Sequence, residues 1–326
     1  MRISKEKLLA GAETTGFRSE LLEKAIHLLN LLERFHSHPF LEKRLALKGG
    51  TALNLFLLNL PRLSIDIDMN YIGAAKAKTM LEERAKIEEA VKAVCQREGF
   101  GVRHMPTEHA GGKWLLQYDS EVTQKGNLEV DLNFMFRVPL WPVVTLNSQP
   151  VGSYRAMGIP VIDIHELAAG KMAALLSRTT SRDLFDVHQL LMWGDLDSRR
   201  LRLAFIVYGA LNRKDWRTVS LDDVGYDLAE MEDKLLPLFG KETIADIGKL
   251  NAWAKRLVDE CRQALEVVLP FSKPEMEFLD NLLDHGEIKP SLLTKDKDMV
   301  ERIGKQPMLE WKALHVKRHR ERKPSL

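Results

Sequence analysis

Two short stretches of this 326-residue chain bring together residue types that could do chemistry. The first is Leu47-Lys48-Gly49-Gly50-Thr51-Ala52-Leu53. A basic residue and two glycines ahead of an apolar run describe a strand that turns sharply into a helix, whose free N–H groups and dipole favour an anion such as phosphate. The second comes soon after, as Arg62-Leu63-Ser64-Ile65-Asp66-Ile67-Asp68-Met69-Asn70. Polar and apolar residues alternate there with period 2, which predicts a strand with Ser64, Asp66, Asp68 and Asn70 on one face and Ile65, Ile67 and Met69 toward the core. Two carboxylates standing side by side repel one another. A divalent hard cation that bridges them to substrate phosphates is the usual reason to keep both ionised.

A third acidic position comes from residues 127–134, where Leu128, Val130, Leu132 and Phe134 alternate with Glu129, Asp131 and Asn133. A mixed sheet carrying a Gly-Gly turn, an Asp-x-Asp strand and a later acidic strand is what metal-assisted nucleotidyl transfer requires, with carboxylates as the customary ligands. Asp66, Asp68 and Asp131 are the metal-ligand candidates, and Glu129 on the face of Asp131 is the alternative for the third place. A further cluster lies in the second half of the chain, at Lys171, Arg178, Arg182, Asp183 and Asp186. Lys171 and Arg178 are seven apart and would share a face of one helix, while Arg182 and Asp186 stack four apart on the next. A surface salt-bridge ladder is the ordinary meaning of such spacing. Against it, Lys171 sits among Ala168, Ala169, Gly170, Ala173 and Ala174, an unusual setting for a solvated lysine and one that lets a ligand approach closely.

Other chemistries fail on residue identity. Asp66-x-Asp68-x-Asn70 copies the first half of a calcium loop, but Tyr71 stands where that loop needs glycine and Ala77 where it needs a bidentate Glu. Arg182-Asp183-Leu184 copies part of a kinase catalytic loop, yet His188 occupies the place of the metal-binding Asn. Cys95 and Cys261 are the only cysteines and neither has a partner at zinc-ligand spacing, so no disulfide framework or zinc site is expected. No stretch reaches the apolar length of a membrane span, and the N-terminus has no continuous apolar core; a soluble, cytoplasmic protein is expected. The net charge of +2 is near neutral, but residues 315–323 hold five Lys/Arg against one acid. That tail reads either as solvated or as a phosphate-tracking arm.

The elements that must position these residues emerge from periodicity. Helical spacing predicts a leading helix over 21–35, a buried helix over 51–60 ended by Pro61, and an amphipathic helix over 74–98 with Met80, Leu81, Ile87, Val91 and Val94 inward. Strands are expected at 44–48, 64–70, 101–105, 114–118 and 127–134. Pro139, Pro142, Pro150 and Pro160 mark strand ends and the crossing into a second domain. Beyond it the patterns are helical, with helices over 167–176 (after a capping box at Asp163 to Glu166) and 182–192 (Ser181 as N-cap), then 251–269 and 273–283. The fold class is therefore α+β, with an N-terminal domain over 1–160 built on a mixed sheet and a helical C-terminal domain over 161–326 that ends in the basic tail.

Lys48 to Leu53, then Arg62 to Asp68, then Lys171 with Arg178, Arg182, Asp183 and Asp186 together resemble the AbiEii nucleotidyltransferase family, the toxins of type IV toxin–antitoxin and phage abortive-infection systems. The resemblance implies an N-terminal domain similar to the DNA polymerase β nucleotidyltransferase core and a helical second domain. It implies a magnesium-dependent enzyme, or one using manganese in its place, that moves a nucleoside monophosphate from an NTP to the 3′ end of RNA, with tRNA the acceptor known for the family, and a cognate antitoxin. By motif position Ser64 and Asp66 resemble the family's essential Ser/Thr and metal-binding Asp, and Lys171 and Asp186 its essential Lys and Asp in the helical half; the family pattern is weakest around Asp131, which joins Asp66 and Asp68 as a metal ligand from the strand pattern alone. Lys48, Gly49, Gly50, Thr51, Ser64, Arg178 and Arg182 then contact the nucleotide. The wider superfamily usually has Gly-Ser at Gly49-Gly50, so Thr51 or Ser64 is expected to supply the hydroxyl. The rival readings are transfer to a protein or small-molecule acceptor, and a catalytically silent fold that binds RNA or a partner.

Overall fold

The computed structural model describes residues 3–107 and 111–322, with side chains outside 104–110 and 322. The chain divides into two compact units. The first comprises residues 1–137, 141–163 and 232–250; the second comprises 138–140, 164–231 and 251–326.

The first unit is organised by a seven-stranded mixed sheet. Its strands are β1 (Leu45–Lys48), β2 (Asp66–Tyr71), β3 (Gly101–Thr107), β4 (Gly111–Asp119), β5 (Lys125–Asn133), β6 (Val144–Leu146) and β7 (Ile159–Val161), in the spatial order β3-β4-β5-β2-β1-β7-β6. β2 lies at the centre, antiparallel to β1 and parallel to β5. Alternation along β5 is clean: Leu128, Val130 and Leu132 are buried while Glu129, Asp131 and Asn133 are partly exposed. A sheet with one packed and one open face gives this pattern.

Helices α1 (Lys5–Thr15), α2 (Ser19–Ser37), α3 (Gly49–Ala52) and α4 (Ala77–Arg97) complete the unit. α2 buries Leu22, Ile26, Leu29, Leu32 and Phe35, a stripe at helical spacing. In α4 the buried residues are Met80, Ile87, Val91, Val94 and Cys95, but Leu81 is 61% exposed, contrary to the expectation from sequence. One residue beyond Met80, it lies about 100° further round the helix and off the stripe. α4 is tied to the sheet by Glu83, which accepts from Arg44 Nε at 2.9 Å, Arg44 Nη2 at 3.1 Å and the Tyr71 hydroxyl at 2.8 Å. The buried helix expected over 51–60 is shorter and irregular. α3 passes at Leu53 into one π-helical turn that ends at Leu57, and Leu60 adopts a φ of 48° before Pro61.

The second unit contains α5 (Ile164–Leu175), α6 (Ser181–Trp193) and α7 (Ser198–Ala210), with longer helices at Leu250–Leu265, Lys273–Asp280, Lys297–Gly304 and Pro307–Arg322. α5 packs against α6 and α7. Thr180, not Ser181, occupies the N-cap position of α6. The end of the basic tail, residues 323–326, lies outside the described residues. Among the described residues no helix is long and apolar enough to cross a membrane.

Candidate active site

β1 ends at Lys48, and Gly49 begins α3 with a φ of +75°. This left-handed conformation is one that L side chains rarely adopt. Space demands glycine as well: a Cβ on Gly49 would stand 2.4 Å from Asp68 Oδ2. The turn and the second strand carboxylate are thus built against each other. Lys48 Nζ lies 3.9 Å from Asp68 Oδ1, with both side chains partly exposed. Gly49→Ala is expected to cost more than about 1 kcal/mol in stability from the φ alone and to displace Asp68, so that transfer falls more than the loss of folded protein explains. Denaturant unfolding compared with initial rates checks this; a variant with wild-type rate per folded molecule would separate the turn from the reaction.

Gly50 and Thr51 come next, inside the helix. Gly50 is buried and its carbonyl accepts from Asn54 Nδ2 at 3.0 Å. Thr51 is wholly buried, with its hydroxyl oxygen 2.5 Å from the Asp66 carbonyl and 2.9 Å from Ser64 Oγ. Thr51 has one hydroxyl proton and a carbonyl only accepts, so that proton goes to Asp66 and the Ser64 proton serves the Thr51–Ser64 contact. This corrects the expectation that Thr51 meets the triphosphate: its hydroxyl instead pins α3 to the start of β2. Ser64 is also buried, at 6% exposure, and precedes the strand.

On β2 Asp66 and Asp68 are partly exposed, while Ile67 and Met69 are buried between and beyond them. Asn70 shares the period of the two acids but is covered, at 3% exposure. Register on the parallel neighbour sets Asp131 opposite Asp68 and Glu129 opposite Asp66. Glu129 is engaged by Lys113 of β4 at 2.5 Å. Asp131 titrates above the ordinary carboxylate range, chiefly because burial penalises its charge. Asp68 and Glu129 push in the same direction, while Lys48 and Lys113 oppose it. The third carboxylate therefore sits where negative charge is already crowded.

Whether this face suits a divalent cation is a question of donor chemistry. The donors of Asp66, Asp68 and Asp131 are hard carboxylate oxygens from one strand and its neighbour, which fits magnesium or manganese. Among the described residues, however, no three acidic, histidine or cysteine side chains already stand in a ligand set.

In the second unit α5, α6 and the turn between them bring four of the expected residues to one cluster. Lys171 Nζ lies 3.0 Å from Asp183 Oδ1 and 2.8 Å from Asp186 Oδ2. Asp186 is wholly buried and Asp183 nearly so. Arg178 falls in the turn beyond the end of α5, so it does not share a helix face with Lys171 as expected. The two meet on one carboxylate nonetheless, because Arg178 Nε is 3.0 Å from Asp183 Oδ2. Thr180 donates to the same oxygen at 2.7 Å. Burial alone would raise Asp183, but Lys171, Arg178 and Thr180 together hold it below the usual carboxylate range. Arg182 lies in the first turn of α6. Sequence spacing gives Asp183 a place in the cluster but no role of its own; its position three residues before Asp186, one helical turn, is the signal that points to one.

A central strand bearing two carboxylates, a third on its parallel neighbour and a glycine turn packed against one of them defines the nucleotidyltransferase class of enzymes. The profile described as "Nucleotidyl transferase AbiEii toxin, Type IV TA system" matches residues 30–264, well over half of the sequence. The chain belongs to this AbiEii family of nucleotidyltransferase toxins. Among solved structures it is similar to the nucleotidyltransferase toxin MenT4 from Mycobacterium tuberculosis H37Rv. That likeness has 16% identity, a TM-score of 0.58 and coverage of 94% of this chain and 99% of the other, and it supports the fold. Comparison with curated proteins found no match.

Proposed function

We propose that this toxin transfers a nucleoside monophosphate from an NTP to the 3′ hydroxyl of an RNA, with tRNA as the acceptor class, and so blocks translation. The observation that carries the proposal is the set Asp66, Asp68 and Asp131 on adjacent strands beside the Gly49 turn. The 3′ hydroxyl gives up its proton to solvent as its oxygen forms a bond to the α-phosphorus, the bond from that phosphorus to the oxygen bridging to the β-phosphate breaks, and pyrophosphate leaves. Asp66, Asp68 and Asp131 would hold magnesium or manganese, which when bound supplies charge that polarises the transferred phosphoryl group.

The chain's own residues bind and position. Lys48 offers a cation beside Asp68, and the Gly49-Gly50 turn, packed against Asp68, is proposed to meet the triphosphate through its backbone amides. Ser64 is proposed to donate its hydroxyl proton to the triphosphate, turning it from Thr51 when nucleotide binds. Lys171 offsets charge developing on the phosphates in a positioning-dominated transfer, and Asp186 orients it. Arg178 and Arg182 contact nucleotide or acceptor phosphates. These roles for the second-unit residues rest on motif order in the family. A cognate antitoxin completes the reading.

The test is to incubate the protein and its Asp66→Ala variant with magnesium, total bacterial RNA and each of four α-labelled NTPs, then resolve RNA and protein. Label on tRNA-sized RNA, absent with the variant, is the expected result. Label on a polypeptide, or none on either fraction, would overturn the RNA acceptor.

A further inference from the structure

The helix Pro307–Arg322 presents two unlike faces. Its inner face is fastened to the second unit: Leu309 and Ala313 are buried, and Lys312 Nζ donates to the carbonyls of Ala210 at 2.8 Å and Asn212 at 2.5 Å, at the end of α7. The outer face carries Trp311 and Leu314, 49% and 46% exposed, with His315 and Arg318 beyond them. Positions 311, 314, 315 and 318 recur at helical spacing and form one stripe about 10 Å long. The indole of Trp311 lies against the His315 ring at a centroid distance of 4.1 Å, so an aromatic platform stands at one end and a guanidinium at the other.

The surroundings are mostly cationic. Lys317, His319 and Arg320 are exposed, and Arg320 reaches His285 Nδ1 at 2.9 Å. The acids facing the helix are Glu310 and Glu321 on the helix itself, Glu287, which Lys289 engages at 2.7 Å, and, on its inner side, Asp284 and Asp215, both engaged by Arg217 at 2.7 Å. A half-exposed indole in a cationic field suits neither the core nor simple solvation. It suits a partner with repeating negative charge and flat π-faces, which is single-stranded nucleic acid: bases stack on the aromatic ring and phosphates meet the cations.

We propose that the outer face of this helix is a binding surface for single-stranded RNA, with Trp311 stacking one base and Arg318 contacting the backbone. The inference deepens the functional reading above and rests on RNA being the acceptor. Charge complementarity selects the occupant; an acidic protein partner would meet the cations but would leave the Trp311 face without a matching flat group.

The experiment measures binding of the full chain to a fluorescein-labelled short single-stranded RNA across a salt series, without NTP, alongside transfer of label to RNA. Trp311→Ala is expected to weaken binding about tenfold, and Arg318→Gln, at a solvent-exposed position, to reduce the slope of log affinity against log salt by roughly 0.7. In the transfer assay both raise the RNA KM. Trp311→Phe should keep most of the affinity because it keeps a ring. Wild-type affinity and slope in both Trp311→Ala and Arg318→Gln would overturn the surface while leaving RNA transfer standing. If RNA is bound in a Trp311-dependent way but never labelled, the surface stands and the acceptor assignment falls. Loss of a co-purified protein partner in the variants, with RNA binding unchanged, would assign the face to protein instead.

Discussion

Asp68→Asn is expected to lower nucleotide transfer by about three orders of magnitude while leaving the protein at least as stable as the wild type. The two effects have separate origins. Transfer falls because the central strand loses one of its carboxylates, and several kcal/mol of transition-state stabilisation depend on charge held at such positions. Stability does not fall because Asp68 faces Asp131 across the β2–β5 register and pushes its pKa up, adding to the larger effect of burial. The ion pair given up in exchange, to Lys48 at 3.9 Å, joins two partly exposed groups and is worth at most about 1 kcal/mol.

Linkage sets the sign of the pH dependence. A carboxyl whose folded pKa is raised costs stability above that pKa, and the cost vanishes below the unfolded value. Removing Asp68 lowers the folded pKa of Asp131. The gain in stability should therefore be present at neutral pH and fade as pH falls through the carboxylate range. Thermal melts at several pH values, with an NMR titration of Asp131, check this; transfer within tenfold of wild type would remove Asp68 from the reaction.

Lys171→Met should have the largest effect on folding, about 3–5 kcal/mol, because it withdraws the cation from a buried pair. Asp186 is wholly buried and loses an ammonium at 2.8 Å; Asp183 keeps Arg178 and Thr180. Loss of activity in this variant alone would thus say little about catalysis. The double variant Lys171→Met/Asp186→Asn removes both charges and is expected to recover most of the stability without recovering transfer. Denaturant midpoints and rates on the same preparations decide the matter, since recovered transfer would make the cluster a structural device. Asp183 adds a pH signature: its folded pKa is lowered, so its contribution is complete above the ordinary carboxylate range and lost as pH falls through the lowered value.

The strand alternation around Asp66 and Asp68 was legible because a period of 2 beside a double glycine has few other meanings. Core stripes in α2 and most of α4 were legible because apolar residues recur there at helical spacing. Burial of polar side chains was not. Thr51 looks like a triphosphate contact in the sequence, yet it is covered and its hydroxyl serves a backbone carbonyl, and Asn70, on the face of the two acids, is covered as well. Arg178 shows a related limit: spacing assumed that the helix continued, whereas α5 stops at Leu175 and the turn delivers the guanidinium to Asp183 by another route. The short helix α1, with its Ser4 cap and Gly16 ending, left no strong stripe. Residues 232–250 gave no periodic signal either, being made of a single π turn, a short 3₁₀ turn and a seven-residue helix.

That last segment sets an order on biosynthesis. The amide of Leu63, just ahead of Ser64, donates to the Leu238 carbonyl at 2.9 Å, and the Lys241 amide donates to the Gly16 carbonyl at 3.0 Å. The segment that leads into Asp66 is therefore braced by residues translated long after β7. At ordinary elongation rates the delay between residue 163 and residue 250 is on the order of ten seconds. During that interval the nascent chain holds all seven strands but not the brace, so the full packing of the carboxylate-bearing half is a property of a nearly finished polypeptide.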